Sequence, residues 1–275
     1  MKRSLVVLIL SGAAWAQESA ADRVSVAFSD PARPGTLRAS VHYGSVTVKG
    51  YDGKEVIVEA RVRARGQERR EPGQDQQAPG LRRIAVSATN LSVEEENNVM
   101  SVSAGPPGRA VDLVIQVPRR TSLKVRAHND GFVLVEQVQG EVEASNHNGS
   151  VTLTRIAGWA VANTHNGEVK VSFDRVEPGK PMSFSSFNGA VDVSLPADTK
   201  ANLKIKSERG EVFSDFEIQL QADRAKPVAE DNRGKGGKYR VRVDKAVYGA
   251  INGGGAELQF ANYNGSIYIR KGGGR

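Results

Sequence analysis

Glu141-Val142-Glu143-Ala144-Ser145-Asn146-His147-Asn148-Gly149-Ser150-Val151-Thr152-Leu153 returns 18 residues later as Trp159-Ala160-Val161-Ala162-Asn163-Thr164-His165-Asn166-Gly167-Glu168-Val169-Lys170-Val171. In the first copy, and after the glycine of the second, apolar residues alternate with polar ones, which is the period of a strand with one buried face. Between the two alternating runs stands Asn-Gly, a pair that readily supplies the positive φ angles of a tight reversal. Each copy therefore reads as strand, corner, strand.

Working outward, the same unit aligns on Gly44, Gly131, Gly149, Gly167, Gly189, Gly210 and Gly265, most of them preceded by Asn or Asp. The second and fourth positions after these glycines are apolar, from Val46 and Val48 to Ile267 and Ile269, with Ser214 the one break. Upstream, Leu37, Ala39 and Val41 match Val142, Ala144 and Asn146, and later Leu258, Phe260 and Asn262. The unit before Gly131 is out of phase by one, which predicts a bulge or a different turn there. Through the middle the glycines are 18, 18, 22 and 21 residues apart. A constant phase with small inward residues such as Ala144, Ala160 and Ala162 favours a thin β-solenoid over a sandwich of hairpins. The expected fold is all-β: one β-helix-like solenoid domain over residues 20–270, each coil stacked on the last. Stacked corners would let Asn148, Asn166 and Asn188 form an amide ladder. Two strand and loop insertions are expected, between Gly44 and Gly131 and between Gly210 and Gly265. The first holds strands at 56–62, 81–87, 100–103 and 111–117, a hairpin tip at 94–98 and a mobile loop at 66–80. The second holds a polar stretch at 221–238 and a strand at 239–243. Residues 271–275 read as a flexible tail.

The N-terminus is of another kind. Lys2 and Arg3 precede the apolar run Leu5–Leu10 and the small-residue pattern Ala14-Trp15-Ala16. This predicts a signal peptide over residues 1–16 and a mature chain from Gln17, since the run is far short of the roughly 20 residues a membrane span needs. No other stretch is apolar enough to span as a helix. The expected location is the periplasm or the cell surface. The chain has no cysteine, which excludes disulfides and thiolate chemistry. Its formal charge is +7, or +5 once Lys2 and Arg3 are removed, an excess that suits anionic envelope polymers or merely solubility. No basic helix or aromatic–basic motif points to nucleic acid.

The stretches Leu113-Val-Ile-Gln-Val-Pro118 and Thr121-Ser-Leu-Lys-Val125, the iterated Asn-Gly-x-Val-x-Val units, and the ending from Gly253-Gly-Gly255 to Asn264-Gly-Ser-Ile-Tyr-Ile269 together resemble a bacterial adhesin-like β-solenoid family of unknown function. The resemblance spans roughly Leu37 to Arg270. It implies an exported or envelope-associated solenoid with no established catalytic residues. The loop at 66–80 and the basic 221–245 region depart from the plainest members.

No catalytic motif is present: no G-x-S-x-G, no H-E-x-x-H, and no phosphate loop in strand–helix context. Outward carboxylates such as Glu136, Glu143, Glu168 and Asp192 are interleaved with Lys and Arg, as on the wet side of a sheet. His42, His147 and His165 stand two residues before their glycines and His128 three. Imidazoles on adjacent rungs, about 4.8 Å apart, could share a zinc or nickel ion. With no carboxylate in that column, they read instead as exposed corner residues, and no metal or cofactor is expected. Phe132, Leu134 and Tyr268 fall on outward positions and form the candidate interaction surface; Phe187, Phe213 and Tyr263 also fall at outward or corner positions. The expected role is a non-enzymatic binding, adhesin-like or scaffolding module for an envelope component or polysaccharide. The alternatives are a carbohydrate-active solenoid enzyme and a self-associating envelope polymer.

Overall fold

The computed structural model describes residues 21–63, 89–106, 108–221, 228–231, 239–242 and 246–272. The expected signal peptide, the loop expected at 66–80 and the strand expected at 81–87 lie outside them. Every regular element among the described residues is a strand.

Strand pairs wrap as flattened coils with a β-solenoid-like course. Along the stack come Val99–Ala104 (β6) with Val111–Pro118 (β7), then Thr36–Tyr43 (β2) with Val46–Tyr51 (β3), then Ser122–Asn129 (β8) with Val133–Glu136 (β9). Glu141–Asn148 (β10) follows, with the first half of Val151–Asn166 (β11); the second half of β11 forms the next coil with Val169–Val176 (β12). Met182–Asn188 (β13) with Val191–Pro196 (β14), Ala256–Asn262 (β21) with Ile267–Gly272 (β22), and Ala201–Ser207 (β15) with Val212–Ser214 (β16) complete it. Within each face the coils pair in parallel, so like residues stack: Val133, Val151, Val169, Val191 and Ile267 form one fully buried row. The facing row runs Val125, Ala144, Ala162, Phe184, Phe260 and Ile205. Alanines keep the middle coils thin, and the two phenylalanines widen the core toward one end.

The order of coils corrects the sequence reading. Coils do not simply stack on their predecessors. The N-terminal coil β2–β3 lies between β6–β7 and β8–β9, and the C-terminal coil β21–β22 lies between β13–β14 and β15–β16. All units share one inward phase, so the alternation carries no information on order. The interval between Gly44 and Gly131, expected as an insertion, supplies β6, β7 and β8 to the stack itself.

Antiparallel strands flank the ends. Glu55–Val62 (β4) pairs with β7 and Asp22–Ala27 (β1) with β4, while Ser92–Glu96 (β5) pairs with β6. The β5–β6 turn falls at the expected hairpin tip, where Asn97 and Asn98 both take positive φ, the requirement of a type I′ turn. At the other end Val247–Ile251 (β20) pairs with β15, and Gln219–Leu220 (β17) with β20. Val228–Asp231 (β18) and Tyr239–Arg242 (β19) form a separate hairpin, so the polar stretch at 221–238 is not strandless. Lys271 and Gly272 belong to β22 rather than to a tail; residues 273–275 lie outside the described set.

Candidate interaction surface at the Asn-Gly edge

The corner glycines are dictated by close stacking. A Cβ on Gly149, Gly167 or Gly189 would collide with the carbonyl oxygen of the corner glycine one coil before it, and each has φ near +150°. Those carbonyls point into the coil and need a donor. It comes from the residue three before the next glycine: Asn146 Nδ2 donates to Gly131 O at 2.9 Å, Thr164 Oγ1 to Gly149 O at 2.7 Å, and Ser186 Oγ to Gly167 O at 2.7 Å. These side chains are buried, so the bonds hold the corner where water cannot substitute.

Outside each corner the residue before the glycine builds a second line. Asn148 Nδ2 donates to Asn129 Oδ1 at 2.6 Å, Asn166 to Asn148 at 2.6 Å, Asn188 to Asn166 at 2.7 Å and Asn264 to Asn188 at 2.8 Å. Arg209 Nη1 donates to Asn264 Oδ1 at 3.5 Å. Asn129, not Asp130, occupies the ladder position, which explains the unit that is out of phase. Asp130 is one extra residue, accommodated at a φ of 58°. Its carbonyl accepts from Arg63 Nη1. Arg63 also donates to Asp112, and this hydrogen bond to the carboxylate is the main reason the guanidinium is held charged above its ordinary value.

One residue earlier on each strand stands a ring, and the rings stack. Centroids are 4.9 Å apart for His42–His128, 4.8 Å for His128–His147, 5.0 Å for His147–His165, 4.7 Å for His165–Phe187 and 4.6 Å for Phe187–Tyr263, with interplanar angles of at most 21°. The Arg209 guanidinium lies over Tyr263 at 5.4 Å, and Tyr43 meets His42 edge-on at 4.5 Å. All six rings are exposed, but from His128 to Phe187 both faces are taken by neighbouring rings, so these meet solvent at their edges. Beside this column runs a row of mostly short polar outward residues on successive strands: Ser103, Ser40, Arg126, Ser145, Asn163 and Ser185. Rings beside short side chains make a shallow trough along the stack axis.

Parallel stacking unites rings that the sequence presents as unrelated. Four histidines and two outward aromatics each sit one residue before the ladder position, and the shifted phase at His128 disappears once Asp130 is recognised as extra. Among the described residues no group of three or more His, Asp or Glu is placed to hold a metal ion.

The opposite sheet carries the surface expected from sequence. Phe132 is 44 % exposed at the corner. Leu134 is half-buried between Thr47 and Thr152. Tyr268 shares that outward row, yet four strand steps separate them, through Thr152, Lys170 and Asp192, about 19 Å. Tyr268 stacks instead on Phe213, centroids 5.2 Å apart, with Arg270 over its ring. The structure therefore brings Phe132 near Leu134 and leaves Tyr268 apart.

Among solved structures, a candidate cell adhesion protein from Clostridium sporogenes is similar over 93 % of this chain and 100 % of its own, at 10 % identity and a TM-score of 0.45. A candidate adhesin from Bacteroides fragilis is similar over 92 % of this chain and 98 % of its own, at 9 % identity and a TM-score of 0.35. No curated protein matches the chain. Residues 128–246 match the Toastrack DUF4097 family model. The matched residues include the His128, His147 and His165 corners.

Proposed function

We propose that this protein is an exported, non-enzymatic, adhesin-like binding module that holds an envelope polysaccharide along its Asn-Gly edge. The observation that carries the reading is the exposed ring column from His42 to Tyr263 beside the row of short polar side chains. Together they offer hydrogen-bonding edges and hydroxyls at a regular spacing over a long, nearly flat strip. An extended polymer with hydroxyls at regular intervals matches such a strip; a compact ligand does not. The Toastrack match and the N-terminal export pattern support the same role. We read residues 20–270 as one solenoid domain with stacked Asn-Gly corners, and the flanking antiparallel strands as its inserted parts. No described helix is long and apolar enough to cross a membrane.

The test is retention of the mature protein on immobilised envelope polysaccharides, comparing wild type with Ser145→Trp/Ser185→Trp, which fills the trough. Retention by the wild type and its loss in the variant, at an unchanged melting temperature, is expected. Equal retention would exclude this edge as the site. Release of reducing ends from a retained polymer would instead favour the carbohydrate-active enzyme.

Self-association has one specific observation behind it. At the far end of the stack Val212 and Phe213 on β16 are 41 % and 46 % exposed, an apolar parallel edge open to another strand. The opposite end is closed by β5, with Glu94, Glu95 and Glu96, on one sheet and by β4 and β1 on the other.

A further inference from the structure

Deepening the binding role proposed above, and resting on it, the charge along the edge points to one class of polymer. The four imidazoles are consecutive in the column, and at the His42 end the trough opens into a shallow cavity of about 570 Å³. Arg38, Ser40, Ser101, Ser103, Lys124, Arg126 and Glu94 line it. Arg38 and Arg126 make no ion pair among the described residues, and both are exposed. Lys124 holds Glu143 at 2.7 Å, and Lys180 holds Glu141 at 2.7 Å, so the acidic groups of β10 are already matched. At the corner, Asp130 and Glu168 flank the histidines; past the phenyl and phenol rings, Arg209 closes the column. These charges balance while the imidazoles are neutral, and the face turns basic once the rings carry protons.

Protonated rings about 5 Å apart repel one another unless an anion lies against their edges. Negative charges recurring at a spacing near that of the rungs would meet each ring in turn. Nucleic acid is the poorer fit, because single strands are held by stacking bases on free ring faces, and these faces are occupied. Sugar hydroxyls find Ser40, Ser145, Asn163 and Ser185 alongside. We propose that the edge captures a linear acidic polysaccharide, and that protonation of His42, His128, His147 and His165 tightens the capture in mildly acidic surroundings. By linkage, the bound polymer favours proton uptake to the same degree that proton uptake favours the polymer.

The experiment measures binding of sodium polygalacturonate and of neutral amylose to the full mature protein at about pH 5 and about pH 7.5, the window in which imidazoles change charge while uronates stay ionised. The control is His128→Phe/His147→Phe/His165→Phe, which keeps rings in the column, as Phe187 does natively, but removes the protons. Polygalacturonate should bind about tenfold tighter at the lower pH, more weakly in salt, and without that gain in the Phe variant. Equal affinity at both pH values, or a gain that survives in the Phe variant, overturns the acid-gated capture. Amylose binding of equal strength at both pH values would overturn it too while leaving the polysaccharide-binding role standing. Retention of no polysaccharide at either pH would remove both.

Discussion

Asn166 donates a hydrogen bond from Nδ2 to Oδ1 of Asn148 at 2.6 Å, and through its own Oδ1 accepts one from Asn188 at 2.7 Å. Every amide in the ladder points the same way, so each bond polarises the next. Asn166→Ala breaks two bonds at once. Because the position is exposed, water replaces part of what is lost, and a loss of about 1 kcal/mol is expected in denaturant melts. Asn166→Asp should be worse than Ala, since it sets a carboxylate oxygen with no hydrogen to donate against Oδ1 of Asn148, and the two oxygens repel.

Gly167 sets the approach of neighbouring coils. A Cβ there would overlap the carbonyl of Gly149, and its φ of +151° is a conformation L-residues avoid. Gly167→Ala is expected to cost several kcal/mol, well above an ordinary glycine-to-alanine effect. Near-parental melting of this variant would mean that the coils are not in such close contact.

Thr164→Val tests the inner donors. The side chain keeps its volume but loses the hydroxyl that serves Gly149 O, leaving a buried carbonyl without that partner. The expected loss is about 1–3 kcal/mol. Ser186→Ala, which removes the equivalent bond to Gly167 O, should fall in the same range.

Acid should weaken the β5 end. Glu95 accepts from the Ser29 backbone N–H at 3.1 Å, from Ser29 Oγ and from the Asn98 N–H at 3.0 Å, and these bonds, the Ser29 backbone bond foremost, hold its carboxyl below the ordinary value. An unfolded chain takes up that proton at higher pH than the folded one. The contribution is therefore present above the ordinary carboxylate value, about 4.3, and fades as pH falls through the lowered folded value. Melting temperature measured from neutral to acidic pH should fall less steeply for Glu95→Gln than for wild type.

Much of this was legible in the residues, and what was not has a physical cause. Alternation and Asn-Gly spacing identify the inward residues: Val46, Val133, Val151, Val169, Val191 and Ile267 are all fully buried. Coil order was not legible, because Leu37 and Leu258 carry the same phase as Val142 and would fit any rung. The ring column was legible only in parts. His147, His165 and Phe187 could be matched from the repeat, but adding Tyr263 needs coils brought together from 76 residues apart, as Asn264 on Asn188 shows. Phe132 and Tyr268 drew notice as outward aromatics, although alternation alone says nothing about whether two outward residues are neighbours.

The most direct measurement is hydroxyl-radical footprinting of the mature protein, free and bound to a polysaccharide that retains it. The account predicts reduced labelling at His128, His147, His165, Phe187 and Tyr263, with Leu134 and Tyr268 on the opposite sheet unchanged. Protection at Phe132, Leu134 and Tyr268 with the ring column still labelled would contradict it.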